Sequence, residues 1–311
     1  MVVFAVLVFA GAHAGAEETL RIPAGYRPHV WKLARGYVDW AEGAVVSEGQ
    51  STCRTDRAQD KAMAQKAALN NASVQATRIC NGLQIDRHQR FEDLRDSDVH
   101  LDIVVGKHTN AAVEWTGEPP ALVCRLHLVV PIWGEKGISS IVAEDQRVRA
   151  KSAARMAVAQ PRVDDPPPKD AILIDARETP LLPCLFPIVI VPEGRVLYNF
   201  DTRQQVHGEV RPVVRYIEVD PAAPPASQPS TQPSDEGPIL VRALQAGGNY
   251  RTDIVLRRMD AARIANDARA VRLLKEGRVF VIVDPLRGPP PQPGSAPAAT
   301  SQTAAPSPKA P

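Results

Sequence analysis

The chain has 311 residues, 44% of them hydrophobic, which is enough to build one or two packed domains. Its formal net charge is +2 and the two signs are mixed along the chain. It therefore lacks the overall basic character of a nucleic-acid binder, and no nucleic-acid partner is expected. The 29 prolines occur in clusters and mark linkers rather than a fold type.

The N-terminus reads VVFAVLVFAGAHAGA, an apolar run shorter than the roughly 20 residues that span a bilayer. It ends in small residues that fit the A-x-A pattern of a cleavage site after Ala14 or Ala16. We predict that residues 1–16 are a secretory signal peptide and that the mature chain has no transmembrane span. No cysteine follows the run, so no lipid anchor is expected. The alternative is a buried N-terminal strand or helix.

Stretches rich in proline, alanine and serine divide the remaining chain into blocks. They hold few large apolar side chains and cannot offset the entropy lost on ordering. We predict a first domain over residues 28–158, a linker over 159–170 and a second domain over 171–285. The second domain contains a predicted disordered insertion, 221–237, and a disordered tail follows over 286–311.

The first block opens with a strand and a long helix. Residues 36–49 indicate a strand broken by glycines. Alanine and larger apolar residues then recur at steps of three and four, which is typical of an amphipathic helix. Thr55 or Asp56 can cap its start, and Asn81-Gly82 can end it. Because the apolar stripe is rich in alanine, the helix is expected to pack closely on a sheet.

Strand-like segments follow the helix. Residues 99–115 contain VHLDIVV and AAVEW, and residues 121–132 alternate between apolar and polar side chains. A Glu-Pro-Pro turn separates them, and a short helix is predicted around residues 143–158. Together these elements predict an α+β fold in which the long helix covers a small, mostly antiparallel sheet.

The second block contains more strands. ILIDA, LFPIVIV, RVLYNF and VVRYIEV precede the insertion, and PILVRALQ, YRTDIVL and RVFVIVD follow it, with one helix over residues 260–275. Neither side of the insertion holds enough strands for a core of its own. We therefore predict one strand-rich α+β domain interrupted by a loop, with flexible Pro-rich connectors that give the two modules reach.

The segment ILIDARETPLLPCLFPIVIV, residues 172–191, holds the best candidates for chemistry. Strand alternation places Ile172 and Ile174 on one face and Asp175 with Arg177 on the other. We expect Asp175 to pair with Arg177 or to bind nearby backbone N–H groups; the alternative is a hydrolase centred on Asp175. The prolines fix φ and remove donors, so the segment is predicted to form a kinked, rigid crossover.

The four cysteines are Cys53, Cys80, Cys124 and Cys184, without a CxxC motif or zinc spacing. They are candidate disulfide cysteines if the protein is exported. Cys53 and Cys80 flank the predicted helix, which puts their Cα atoms about 40 Å apart. A disulfide requires about 4.4–6.8 Å. Cys124 is a better partner for either, and four separate buried thiols are the alternative.

Histidine and tryptophan give weaker signals. The seven histidines form no i,i+4 pair and no HExxH motif, so neither a metal nor another cofactor is predicted. The four tryptophans, Trp31, Trp40, Trp115 and Trp133, all lie in the first block. They are expected either to pack in the core or to anchor a partner protein or glycan.

Three segments of the first block carry a family resemblance. They are VDWAEGAVVSEG, KAALNNASVQATRICNGLQI and VVPIWGEKGISS. This pattern resembles the bacterial flagellum-linked surface lipoproteins, which are related to the N-terminal domain of the flagellar H-ring assembly protein T. ILIDARETPLLPCLFPIVIVPEGRVLY and GRVFVIVD resemble the domain that follows in exported relatives. The resemblance implies an export-dependent structural or assembly role without enzymatic activity.

We therefore expect an exported, non-enzymatic protein of the periplasm or cell envelope that acts through protein–protein contacts. The expected partners are envelope or flagellar basal-body proteins, with peripheral membrane contact as an option. Candidate interaction or structural residues are Trp40, Trp133, Gly134, Asp175 and Arg177. The alternative function is a periplasmic module that binds peptidoglycan or another glycan.

Overall fold

The structure is a computed structural model that describes residues 22–23, 25–94, 111–134, 137–142, 171–203, 210–222 and 237–285. The predicted signal peptide, the strand predicted before residue 111, the helix predicted around 143–158, the linker, most of the insertion and the tail lie outside the described residues.

The described chain is a mixed α+β structure. Its strands are β1 (Tyr26–Pro28), β2 (Val30–Leu33), β3 (Gly36–Asp39), β4 (Ala44–Cys53), β5 (Ala111–Thr116), β6 (Leu122–Pro131), β7 (Ile172–Asp175), β8 (Val189–Ile190), β9 (Val196–Tyr198), β10 (Arg215–Val219), β11 (Ile239–Gly247), β12 (Asp253–Leu256) and β13 (Val279–Ile282). Its α-helices are α1 (Ala58–Asn81), α2 (Arg258–Asn266) and α3 (Ala268–Glu276). Phe91–Asp93 form a 3₁₀ turn, and residues 138–142 are also helical.

Strands β2 to β6 form a five-stranded antiparallel sheet in the order β2-β3-β4-β6-β5, with α1 packed on one face. We call this sheet and its helices the N-terminal module. The alternation predicted for β6 is confirmed, because every second residue is buried: Leu122, Cys124, Leu126, Leu128 and Val130. The predicted fold class for this block is thus confirmed.

Small residues bring the backbone of α1 into contact with β4. The buried stripe of the helix contains Ala64, Ala68, Ala72 and Ala76. A Cβ atom added to Gly49 of β4 would lie 2.0 Å from the Ala68 carbonyl oxygen, so only glycine fits there. Alanine and glycine are therefore required for this close packing, not merely tolerated.

The start of α1 differs from the prediction. Arg57 precedes the helix with extended geometry, φ −66° and ψ 140°, and no side chain caps the helix. Thr55 instead bonds the Asp60 carboxylate, while Asp56 forms an exposed ion pair with a lysine of the first turn. The predicted Thr55 or Asp56 cap was wrong because both side chains have other partners. The predicted C-terminal end at Asn81 is confirmed.

The other eight strands form a mixed sheet in the order β1-β10-β13-β7-β11-β12-β8-β9. We call this sheet, with α2 and α3, the C-terminal module. Its centre, β10-β13-β7-β11, is parallel. All four residues of β7 are buried, as are all four of β13. Continuous apolar strands are expected where a parallel sheet is covered on both faces.

Two short helices replace the single helix predicted over residues 260–275. Asp267 interrupts the helical path with φ −93° and ψ 112°, and its carboxylate accepts the Arg269 N–H at 2.8 Å. Aspartate is a preferred N-cap residue, so this position ends α2 and starts α3. Gly277 then ends α3 in the left-handed region at φ +69°.

The first strand crosses from one module to the other. β1 pairs antiparallel with β10 of the C-terminal module, and His29 then leads directly into β2 of the N-terminal module. His29 donates its N–H to the Tyr216 carbonyl at 3.2 Å, and its own carbonyl accepts the Trp40 N–H at 3.1 Å. The peptide of a single residue therefore links the two sheets.

The buried apolar side chains of both modules form one continuous cluster, in which Trp40 and Leu126 belong to the same core as Ile174 and Val281. This differs from the expectation that flexible connectors give two separate modules reach. The modules are in direct contact, and that contact limits their relative movement. Within the described residues, no helix is both long enough and apolar enough to cross a membrane.

Candidate functional site

Asp175 and Arg177 lie at the carboxyl end of β7 and form a bidentate ion pair. Arg177 donates Nε at 2.9 Å and Nη2 at 2.7 Å to the two carboxylate oxygens, and its backbone N–H donates at 3.2 Å. Burial acts to raise the pKa of Asp175, but the hydrogen bonds and charge of Arg177, with the charge of Arg242, hold that pKa below its ordinary value. The side chain of Asp175 is 12% exposed.

This arrangement is poorly suited to acid–base catalysis. A general base works best when its pKa lies near the working pH, whereas the pKa of Asp175 is lowered and both of its oxygens are bound by Arg177. The neighbouring charges are also paired: the Glu178 N–H donates to Asp284 at 3.2 Å, and Arg242 lies 3.9 Å from Glu178. The geometry is that of a structural pair that secures a strand end.

The crossover after β7 is the centre of the contact between the modules. It is irregular, and most of residues 181–187 are buried. Buried backbone donors need partners. The N–H groups of Leu185 and Phe186 donate to the Gln84 and Ile85 carbonyls at 3.0 and 2.8 Å, and that of Cys184 donates to the Tyr216 hydroxyl at 3.2 Å. The crossover is therefore inserted between the modules.

Trp40 belongs to the N-terminal module and lies where that module contacts the sheet of the C-terminal module. It is 2% exposed, and its indole packs edge-on against Tyr216 with centroids 5.7 Å apart. The Tyr216 hydroxyl is bound by the crossover, so Trp40 supports the same contact from the opposite side. Such aromatic pairs stabilise beyond the burial of their area.

Trp133 and Gly134 make the second part of the contact. The Trp133 ring packs edge-on against Phe186 at 6.2 Å, and Phe186 in turn packs on Phe200 at 4.9 Å. Gly134 has φ +89° and donates its N–H to the Val210 carbonyl at 3.0 Å. Three predicted interaction residues, Trp40, Trp133 and Gly134, thus contact the C-terminal module of the same chain.

Charged contacts add to the same interface. Arg87, in the loop after α1, binds Asp253 of β12 with an Nη2–Oδ2 distance of 2.9 Å. Burial raises the pKa of Asp253 although the charge of Arg87 opposes the shift. The Arg90 guanidinium lies 5.4 Å from the Tyr250 ring centroid, a cation–π distance. Sequence reasoning missed these residues because they are far apart in the chain.

A second cluster of polar and charged side chains lies between β1 and β10. Glu218 accepts from His29 Nδ1 at 2.8 Å and from Arg27 Nη2 at 2.7 Å. Burial acts to raise the pKa of Glu218, but the hydrogen bonds from His29 and Arg27 hold it below its ordinary value. His29 is fully buried, and its Nε2 atom has no partner in the described part of the chain. These contacts fasten β1 to β10.

The cysteines are buried and unbridged. Burial raises the pKa of Cys80 to about 12 and also raises that of Cys184, so neither is a reactive thiolate. Cys53 ends β4 before α1, and Cys80 lies in the last turn of that helix. Cys53 pairs with Leu122 and Cys124 with Ser51, a diagonal arrangement with Cα atoms about 7–8 Å apart, which exceeds the usual disulfide range.

Other sequence candidates are also used in packing. Trp31 is 5% exposed, and Trp115 is partly buried with the Lys61 ammonium 5.8 Å from its ring centroid. The described chain therefore presents no open tryptophan platform for a sugar ring. Among the described residues, no three His, Cys, Asp or Glu side chains are grouped as a metal site would require.

Residues 171–285 match the family described as Treponema pallidum Tp0624, second domain. The segment spans β7 to β13 with α2 and α3, but excludes β1 and the N-terminal module. No curated protein matches the chain.

This match corrects the family suggested by the sequence pattern. The matching family is the Tp0624 second domain, not the flagellum-linked surface lipoproteins or flagellar assembly protein T. The misleading pattern consisted of glycines, prolines and alanines. These residues meet local needs, such as the close approach at Gly49 and the turn at Gly134, and such needs recur in unrelated sheets.

Proposed function

We propose that this protein is an exported, non-enzymatic component of a bacterial cell envelope with a structural or assembly role. Export is supported by the cleavage pattern that ends the N-terminal apolar run. The flagellar link is not carried forward, because it depended on the family that the comparison replaced.

The observation that carries the non-enzymatic role is the use made of the chain's reactive groups. Asp175 is held by Arg177, His29 is enclosed with Glu218, and Cys184 is buried beside Tyr216. Catalysis needs groups that can reach a substrate and exchange protons with it. Here these groups hold strands and modules together. Such structural use of reactive groups suits a protein that acts by presenting a stable binding surface.

The glycan-binding alternative is not developed further, because it depended on exposed tryptophans. Trp31 and Trp40 are core residues, and Trp133 packs against the other module. We favour protein–protein contacts made by one rigid body. Its size and shared core make it suitable as a spacer or scaffold between other components.

Fractionation of the native host tests export. We expect an immunoblot to find the protein in the periplasmic or envelope fraction, with a mass that corresponds to a start at Gly15 or Glu17. The control is a variant with both cleavage patterns removed by Ala14→Leu and Ala16→Leu, which should retain its leader. Finding the parent protein in the cytosol at full length would refute the proposal.

A second test addresses the non-enzymatic role. Asp175→Asn removes the carboxylate charge that a hydrolase would need but leaves the side chain's size unchanged. We expect the variant to restore the wild-type phenotype when it is expressed in a deletion strain, once its stability is matched to that of the parent. A loss of function in a fully folded Asp175→Asn protein would favour the hydrolase instead.

A further inference from the structure

Helices α2 and α3 concentrate the positive charge of the chain. From Arg257 to Arg278 there are seven basic and three acidic residues, a net charge of +4, whereas the whole chain has +2. The buried residues of the two helices are small or apolar, whereas five of the seven basic side chains are exposed: Arg257, Arg258, Arg263, Arg272 and Lys275. An overall charge count conceals this patch, because the rest of the chain is slightly acidic.

Helical spacing groups the exposed side chains. Met259 and Arg263 are four residues apart on α2, and Arg272 and Lys275 are three apart on α3, so each pair shares one face of its helix. We call these four exposed residues, together with Arg257 and Arg258 at the start of α2, the basic helix face. Met259 is 84% exposed, the largest value among the exposed large apolar side chains of the described chain.

Much of this charge is not neutralised by neighbours. Asp267 caps α3, and Glu276 lies 3.2 Å from the largely buried Arg278 and 3.9 Å from the exposed Arg272. Arg258 binds Glu193, but both are exposed, and such pairs are weak. Within the described ranges, Arg257 and Lys275 have no carboxylate within 4.0 Å, so their charge is available to an outside partner.

The position of two arginines adds to the argument. Arg257 and Arg258 stand at the start of α2, where the helix dipole is positive and no side-chain cap is present. Basic residues are unfavourable at that end, so helix stability does not explain them. Together with the charge of the helix pair, they produce a strongly positive surface next to an exposed methionine.

We propose that the basic helix face binds the anionic headgroups of a phospholipid membrane, with Met259 entering the interface. Protein interfaces usually have a buried aromatic or aliphatic centre, whereas this face offers flexible basic side chains around one apolar tip. That combination fits peripheral attachment to anionic lipid. The choice of lipid over nucleic acid rests on the proposed export.

Vesicle binding tests this inference without reference to location in the cell. The protein should start at Glu17, since the apolar leader would itself enter lipid and the described contacts begin at Ile22. The probes are vesicles of phosphatidylcholine mixed with phosphatidylglycerol, and vesicles of phosphatidylcholine alone. We expect co-sedimentation with the anionic vesicles only, and weaker binding as salt rises above about 0.1 M.

A matched pair of variants identifies the surface. Arg257→Ser, Arg258→Ser and Lys275→Ser together should weaken partitioning about a hundredfold at low salt, since each basic residue near an anionic surface contributes about fivefold. The control removes the same charge from exposed positions around α1 by changing Arg54, Lys66 and Arg78 to serine. It should bind nearly as well as the parent.

Met259→Ser should weaken binding less than the triple variant does. Circular dichroism must show that all variants remain folded. Equal losses in the two triple variants, equal binding to neutral vesicles, or no vesicle binding by the parent would each overturn the proposal. The last result would do so even if the same face captured an acidic polypeptide. None of these results bears on export, which fractionation tests separately.

Discussion

Phe186 offers the most direct test of the shared core. It belongs to the crossover of the C-terminal module, is 5% exposed and packs against Trp133 of the N-terminal module. Replacing a buried phenylalanine by alanine costs about 3–5 kcal/mol, which includes the cavity that is left. Two edge-on ring contacts, with Trp133 and Phe200, place this residue towards the upper part of that range.

All four tryptophans lie in the N-terminal module, so their fluorescence reports its unfolding. For a domain of this size, urea unfolding has a slope of about 2–3 kcal/mol/M. A loss of about 4 kcal/mol should therefore lower the fluorescence midpoint by about 1.3–2 M. Hydrogen exchange in β7 and β13, measured by mass spectrometry, should show the C-terminal module unfolding at the same urea concentration.

Two further variants separate docking from general destabilisation. Val196→Ala changes a side chain that is 45% exposed and should leave both probes unchanged. Leu273→Ala lies in α3, is fully buried and does not belong to the crossover. If the modules unfold as one unit, it should also shift the tryptophan transition. A fluorescence midpoint that stays constant in Phe186→Ala while β7 exchange accelerates would refute the shared core.

Three other predictions follow from the same contacts. Asp175→Asn should lower the stability at pH 7 by about 1 kcal/mol, because a carboxylate whose pKa is lowered in the folded state contributes its full stability above its unfolded pKa of about 3.9. That contribution is lost as the pH falls through the lower folded-state pKa, so the melting curves of variant and parent should begin to converge only below about pH 3.9. Gly43→Ala should lower the melting temperature more than Gly194→Ala: both glycines have positive φ, but a methyl group at Gly43 would lie 2.1 Å from an indole carbon, whereas Gly194 has open space. A protease site engineered within residues 159–170 should, once cut, leave two pieces that co-elute in size-exclusion chromatography; separate peaks would show that the linker alone joins them.

Local elements were predictable because their signals are local. The stripe of α1 and the alternation of β6 are periodic patterns that a short window contains, and both were found where expected. Asp175 and Arg177 are two residues apart at a strand end, so their proximity needed no knowledge of the fold. The break at Asp267 was missed because one capping aspartate within a helical pattern is a weak signal.

Contacts between distant segments were not predictable from the chain. His29 and Glu218 are 189 residues apart, and Arg87 and Asp253 are 166 apart. Neither pair has a sequence pattern, since pairing depends on which strands become neighbours. The parallel order of β10, β13, β7 and β11 is of the same kind, because an apolar strand does not reveal the partners that it will take.

The family match and the sheet order together show that the C-terminal module includes a strand, β1, from outside the matched segment. The matched segment, residues 171–285, supplies seven of the eight strands, and β1 supplies the last one beside β10. Without β1, one edge of β10 would be unpaired and Glu218 would lose both of its side-chain partners, Arg27 and His29. Unpaired edges promote association, and a buried carboxylate without partners is costly. A fragment that begins at residue 171, where the family match begins, should therefore be less soluble than a protein that also contains residues 22–30.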